Sequence, residues 1–83
     1  MSSAAMTIEQ AIDELQNRIL AVDPGAVIRL QRRSGEEAVI RAYVPADQVE
    51  AVQDAVRDRA IELLTSQGLD VQVLVYDKET SLR

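Results

Sequence analysis

Histidine, cysteine, tryptophan and phenylalanine are all absent from this 83-residue chain. Without cysteine, no disulfide and no thiolate metal site can form. Without histidine, the commonest general base and the commonest transition-metal ligand are missing. Two tyrosines are the only aromatic residues, too few for a base-stacking platform. Positive charge is scarce as well. Nine Lys and Arg stand against 14 Asp and Glu, and the net charge of −5 argues against a nucleic-acid or anionic-membrane surface. No apolar run approaches the ~18 residues of a membrane-spanning helix, and the opening MSSAAM lacks the basic and apolar regions of a signal peptide. The expectation is a soluble, cytoplasmic protein with no cofactor, no nucleic acid and no membrane among its partners.

What is present reads as one small domain. Residues 1–6 are small and polar and are expected to be disordered, with Met6 an alternative start. Thr7-Ile8-Glu9-Gln10 fits a capping box. Ile8, Ile12, Leu15, Ile19 and Val22 then recur at helical spacing, and Asp23-Pro24-Gly25 stops the run, so a helix is predicted over 8–22. A second helix is predicted over 46–67, opened by Pro45 and an Asp47-to-Glu50 cap signature and closed by Gly68. Its buried stripe is Val49, Val52, Val56, Ala60, Leu63 and Leu64. In DVQVLVYD, residues 70–77, Val71, Val73 and Val75 alternate with Gln72, Leu74 and Tyr76, the pattern of a strand whose valines face the helices. The domain is placed at 7–77, with 78–83 a flexible tail.

Between the helices, VIRLQRRSGEEAVIRAYV (residues 27–44) reads as a β-hairpin, because two apolar runs flank the polar RSGEE. A slip of one residue moves every side chain to the other face. Pairing Arg33 with Glu37 sets Leu30 opposite Ile40 and Ile28 opposite Ala42; pairing Arg33 with Glu36 would set Ile28 against Arg41. The first register keeps apolar residues together and gives Gly35 a positive-φ position in a three-residue loop. One face is then Ile28, Leu30, Ile40, Ala42 and Val44, with Leu30 buried. The other carries Val27, Arg29, Gln31, Val39, Arg41 and Tyr43, with Val39 open to solvent. The order α-β-β-α-β gives an α+β two-layer sandwich, two helices on one face of a three-stranded mixed sheet.

Taken together, IRLQRRSGEEAVIRAYVPADQ, the EAVQDAVRD helix and the LDVQVLVYD strand resemble the cytosolic C-terminal domain of cation diffusion facilitator transporters. The resemblance implies a ferredoxin-like, dimer-forming domain. It does not imply metal binding, because Val52 and Leu74 stand where that family often carries ligand histidines. BolA-like and type II KH domains share the element order but rank lower, because this chain lacks the His of the first and the GxxG loop of the second.

Three constellations are candidates for chemistry. Arg29, Arg32, Arg33 and Arg41 give residues 26–44 a local charge of +2, against −3 on each helical segment. They read as an anion or acidic-partner site, or more plainly as a strand edge kept soluble by charge, with Glu36 and Glu37 as neutralising partners. Asp54, Asp58 and Glu62, four residues apart, match a hard-cation site but are also ordinary on a wet helix face. No sequence feature supplies the cleft and raised pKa that a carboxylate acid/base pair needs, so no catalytic, cofactor or metal residue is assigned. The third constellation is the open sheet face: Val27, Arg29, Val39, Arg41, Tyr43, Leu74 and Tyr76. It is too apolar in aggregate for water alone and is assigned as a partner surface. Two readings follow. One is a non-catalytic dimerising or partner-docking module, expected to be a homodimer joined through the open sheet face or, ranked just behind, through the sheet edge, with a further protein as a possible partner. The other is a regulatory domain that holds a small anion on the same face. An enzyme ranks third.

Overall fold

The computed structural model describes residues 6–81. Helix α1 spans Ile8–Val22, strand β1 Val27–Arg32 and strand β2 Glu37–Val44. A 3₁₀ turn at Ala46–Gln48 leads into helix α2, Val49–Gln67, and strand β3, Asp70–Asp77. A helical turn α3, Lys78–Ser81, follows, held by a hydrogen bond from Lys78 Nζ to the Gly25 carbonyl at 3.0 Å. Of the stretch expected to be disordered, 1–6, residues 1–5 lie outside the described residues, whereas Met6 is half-buried against the core and its amide bonds to Gln67 Oε1 at 3.1 Å; of the tail, 82–83 lie outside the described residues. No described helix is long and apolar enough to cross a membrane.

The α1 capping box forms as the sequence implies. Thr7 Oγ1 accepts from the Gln10 amide at 3.1 Å, and Gln10 Oε1 accepts from the Thr7 amide at 3.0 Å. Asp23 closes the helix, and its Oδ1 accepts from the Gly25 amide, turning the chain toward β1. Helix α2 ends at Gly68, whose φ of +69° suits a residue without Cβ. The Gly68 amide reaches back to Leu64, the bond of an αL closure, and the Leu69 amide to Leu63. The start of α2 differs from expectation. Asp47 lies inside the 3₁₀ turn, and no side chain caps the helix. The backbone bond from Gln48 to Pro45 closes that turn instead.

The sheet is mixed, in the order β1-β2-β3, with β1 antiparallel and β3 parallel to β2. The hairpin register is the one the apolar pattern selects: Leu30 opposite Ile40, Ile28 opposite Ala42, and the Arg33 amide bonded to the Glu37 carbonyl. Both helices lie on one face. The core joins Ile8, Ala11, Ile12, Leu15 and Ile19 of α1 to Val52, Val56 and Leu63 of α2. Beneath them lie Ala38, Ile40, Ala42 and Val44 of β2, with Val71 of β3. Val73 and Val75 pack against its margin, half-buried.

Four expectations change. Leu30 faces the helix side but is 50% exposed, whereas Val39, on the open face, is 2% exposed. Position across the sheet decides this. Helix α1 lies chiefly over β2 and α2 over β3, so the edge strand β1 is left bare. Val39 is on the central strand between Gln31 and Gln72, beside a hydrogen bond from Arg41 to Gln31. Leu64 is 49% exposed, because it lies one position, about 100° around the helix, from the buried Leu63. Gly35 does not take positive φ. Ser34 Oγ accepts from the Glu36 amide, and the Glu37 carbonyl receives both the Arg33 and Ser34 amides, so the loop closes without a left-handed residue.

Two outcomes follow for denaturant melts. Val39→Ala removes buried methyl groups and is expected to cost roughly 1–3 kcal/mol, whereas Leu30→Ala should cost under about 1 kcal/mol; the reverse order would contradict the observed burial. A Cβ at Gly35 meets nothing within 4 Å, so Gly35→Ala should be neutral or slightly stabilising. Gly68→Ala, forced into the left-handed region, should lose about 1–2 kcal/mol.

Candidate functional site

The uncovered face of the sheet is ordered in rows set by the strand register. Val27, Tyr43 and Tyr76 form the first row, Arg29, Arg41 and Leu74 the second, and Gln31, Val39 and Gln72 the third. Alternation along each strand places these nine residues together. Six of the seven residues predicted for a partner surface reach solvent there: Val27 and Leu74 are each 36% exposed, Arg29 is exposed, and Arg41, Tyr43 and Tyr76 are half-buried. Val39 shares the face but is buried.

The first two rows are tied together. The Tyr43 and Tyr76 rings stack, with centroids 5.3 Å apart and planes inclined by 24°. Arg29 lies over the Tyr43 ring with its guanidinium carbon 5.8 Å from the centroid, a cation–π contact. Arg29 and Arg41 are direct cross-strand partners, and like charges so placed repel. They part along the sheet: Arg29 turns to Tyr43, while Arg41 donates to Gln31 Oε1 at 3.1 Å. Neither makes an ion pair with a described acidic residue. The result is a flat surface with an aromatic step, an exposed leucine and two guanidinium groups. Its chemistry suits contact with an apolar or acidic surface.

The other candidates resolve differently. Arg32 pairs with Glu9 of α1 rather than with Glu36 or Glu37. Arg33 lines a shallow depression at the hairpin end with Glu37, Asp70 and Gln72, a site of mixed charge. Asp54 pairs with Arg57 at 3.0 Å and Glu62 with Arg59 at 2.9 Å, and no three acidic side chains gather into a cluster among the described residues. Val52 is fully buried in the core, whereas Leu74 lies on the open face.

One polar feature had no sequence signal. Arg59 of α2 grips Glu14 of α1 with two bonds, Nε to Oε2 at 2.5 Å and Nη2 to Oε1 at 3.0 Å. Arg18 adds a longer bond to the same carboxylate. Both partners are about a quarter exposed, and Met6 leans on the Arg59 guanidinium. The hydrogen bonds from Arg59 hold the Glu14 carboxyl below its ordinary pKa against the opposing effect of burial, and Glu14 in turn raises Arg59. The pair crosses between the two helices and acts as a clamp, away from the open face.

Because Glu14 binds its proton less readily in the folded chain than in the unfolded one, its contribution is present above the ordinary value of 4.5 and is lost as pH falls through the lower folded value. Glu14→Gln should therefore melt a few degrees below the wild type at pH 7, and the difference should shrink as the pH is lowered past 4.5. A gap that does not depend on pH would show that the clamp acts through packing alone. No protein-family model, curated protein or solved structure matches this chain.

Proposed function

We propose that this chain is a small, non-catalytic interaction module that works as a homodimer and offers its open sheet face to a further protein. The observation that carries the reading is the row-ordered face itself. The stacked Tyr43 and Tyr76, the exposed Leu74 and Val27, and the arginines at 29 and 41 form one surface that no helix covers. Tyrosine and arginine are the residue types enriched where proteins meet, and a flat apolar surface with a polar rim suits a protein better than a small substrate, which favours a concave site. The groups with shifted pKa values, Glu14 and Arg59, are spent on each other between the helices. The resemblance to a dimer-forming transporter domain points the same way. A cytoplasmic setting accords with the lack of cysteine.

A specific observation favours a second reading, a regulatory domain for a small anion. Arg29 and Arg41 have no acidic partner among the described residues, although the chain as a whole is acidic. A thermal-shift screen with nucleotides, phosphorylated metabolites and divalent metals, run beside a light-scattering mass, separates the two. The interaction module predicts a dimeric mass and a flat screen. An anion at 100-fold its Kd would add about 2.7 kcal/mol of stability, and such a shift in a monomeric protein, abolished by Arg41→Gln, would replace the first reading with the second.

A further inference from the structure

Strand β1 has no buried residue. Five of its six residues are exposed and Ile28 is half-buried, although its sequence, VIRLQR, contains a valine, an isoleucine and a leucine. It is an edge strand free of proline, and its ladder with β2 runs from residue 27 to 32 without a bulge. The Arg33 amide bonds to the Glu37 carbonyl. In an antiparallel ladder hydrogen-bonded pairs alternate with open ones, so Val27, Arg29 and Gln31 turn their backbone groups toward β2. Ile28, Leu30 and Arg32 turn theirs outward, with no backbone partner among the described residues. Leu30 also lines a groove of about 470 Å³ with Ile12 and Gln16 of α1, on the side of β1 that α1 leaves uncovered. The opposite edge strand keeps its valines better covered, since α2 packs chiefly on β3.

We propose that two copies of this chain pair antiparallel through β1, with Leu30 on the two-fold axis, to make one six-stranded sheet. This rests on the homodimer reading above and assigns its seam. The register follows from face and charge. Residues directly opposite must share a face, so only registers centred on a residue are allowed. Centring on Arg29 sets Arg29 against itself; centring on Gln31 sets Arg29 against the second Arg33. Centring on Leu30 sets Leu30 against Leu30, Arg29 against Gln31 and Ile28 against Arg32, and every arginine then faces an uncharged side chain. The two half-exposed leucines bury each other in a trough between the two α1 helices, and the outward N–H and C=O groups of Ile28, Leu30 and Arg32 are satisfied. Arg32 enters already neutralised by Glu9. Stable interfaces bury roughly 1,200–2,000 Å² in total, more than a six-residue strand pair supplies alone, so the dimer forms with concentration. Both copies carry −5, so it tightens as salt is added.

The absence of cysteine allows a direct test of register. Opposed Cα atoms about 5.5 Å apart in a hydrogen-bonded pair are within disulfide range. Leu30→Cys, oxidised at 200 μM, should give a covalent dimer at least about tenfold faster than Arg29→Cys or Gln31→Cys alone, while mixing the latter two should restore the rate. In parallel, sedimentation of the wild type from 10 to 500 μM should show a dimer that Leu30→Pro abolishes and Leu74→Glu leaves intact. The proline removes only an outward-facing N–H, a position edge strands tolerate. Circular dichroism checks its fold, and Leu30→Lys takes its place if it unfolds. A wild type that stays monomeric throughout overturns both the seam and the homodimer reading, and leaves an extended segment of another protein as the edge's occupant. A dimer that persists in Leu30→Pro and is lost in Leu74→Glu overturns the seam alone and moves the interface to the open face.

Discussion

Strand β2 is hydrogen-bonded along both edges, and the rest of the structure depends on keeping it dry. Ala38, Ile40, Ala42 and Val44 point under the helices at 0–2% exposure. Ile40 shares one core cluster with the large buried side chains Leu15, Ile19 and Leu63. A core without phenylalanine or tryptophan relies on this close aliphatic packing, since each contact is individually small. The helices are joined across their tops by Glu14 and Arg59 and sit over β2 and β3. Placed there, they protect the central strand and give up β1.

That placement explains the uneven character of the sheet. β1 is held by its ladder to β2 and by the half-buried Ile28, and it keeps a leucine and three outward peptide groups in water. An edge of this kind is a template for another strand, and natural proteins blunt it with charge or cover it. Here Arg29, Arg32 and Arg33 supply charge, but Glu9 already neutralises Arg32 and Arg29 turns over Tyr43. The charge therefore selects among registers instead of forbidding all of them. The open face lies at right angles to this edge and stays accessible when two edges join, so one small chain can pair with itself and still present the Tyr43–Tyr76 step to something else.

Much of this was legible in the residues because the signals are local. Thr7 and Gln10 announce the start of α1, Gly68 the end of α2, and the apolar pairs Leu30–Ile40 and Ile28–Ala42 select the hairpin register. Alternation also brought Tyr43, Tyr76, Leu74, Arg29 and Arg41 to one face. It could not say which strand is central. Face tells where a side chain points, and burial depends also on what flanks it; hence Val39 is buried on the open face and Leu30 exposed on the covered one. Gly35 needs no positive φ, because the Ser34 hydroxyl closes the loop in a conformation any residue can adopt. The Glu14–Arg59 clamp joins residues 45 apart, and no spacing rule reaches that far.

The central claim is that β1 is completed by a second copy. Amide hydrogen exchange, followed residue by residue at low and high protein concentration, tests it most directly. The amides of Ile28, Leu30 and Arg32 should exchange freely in dilute solution and become protected as concentration rises, while those of Val27, Arg29 and Gln31, already bonded to β2, should change far less. Exchange at Ile28, Leu30 and Arg32 that does not depend on concentration would contradict the account.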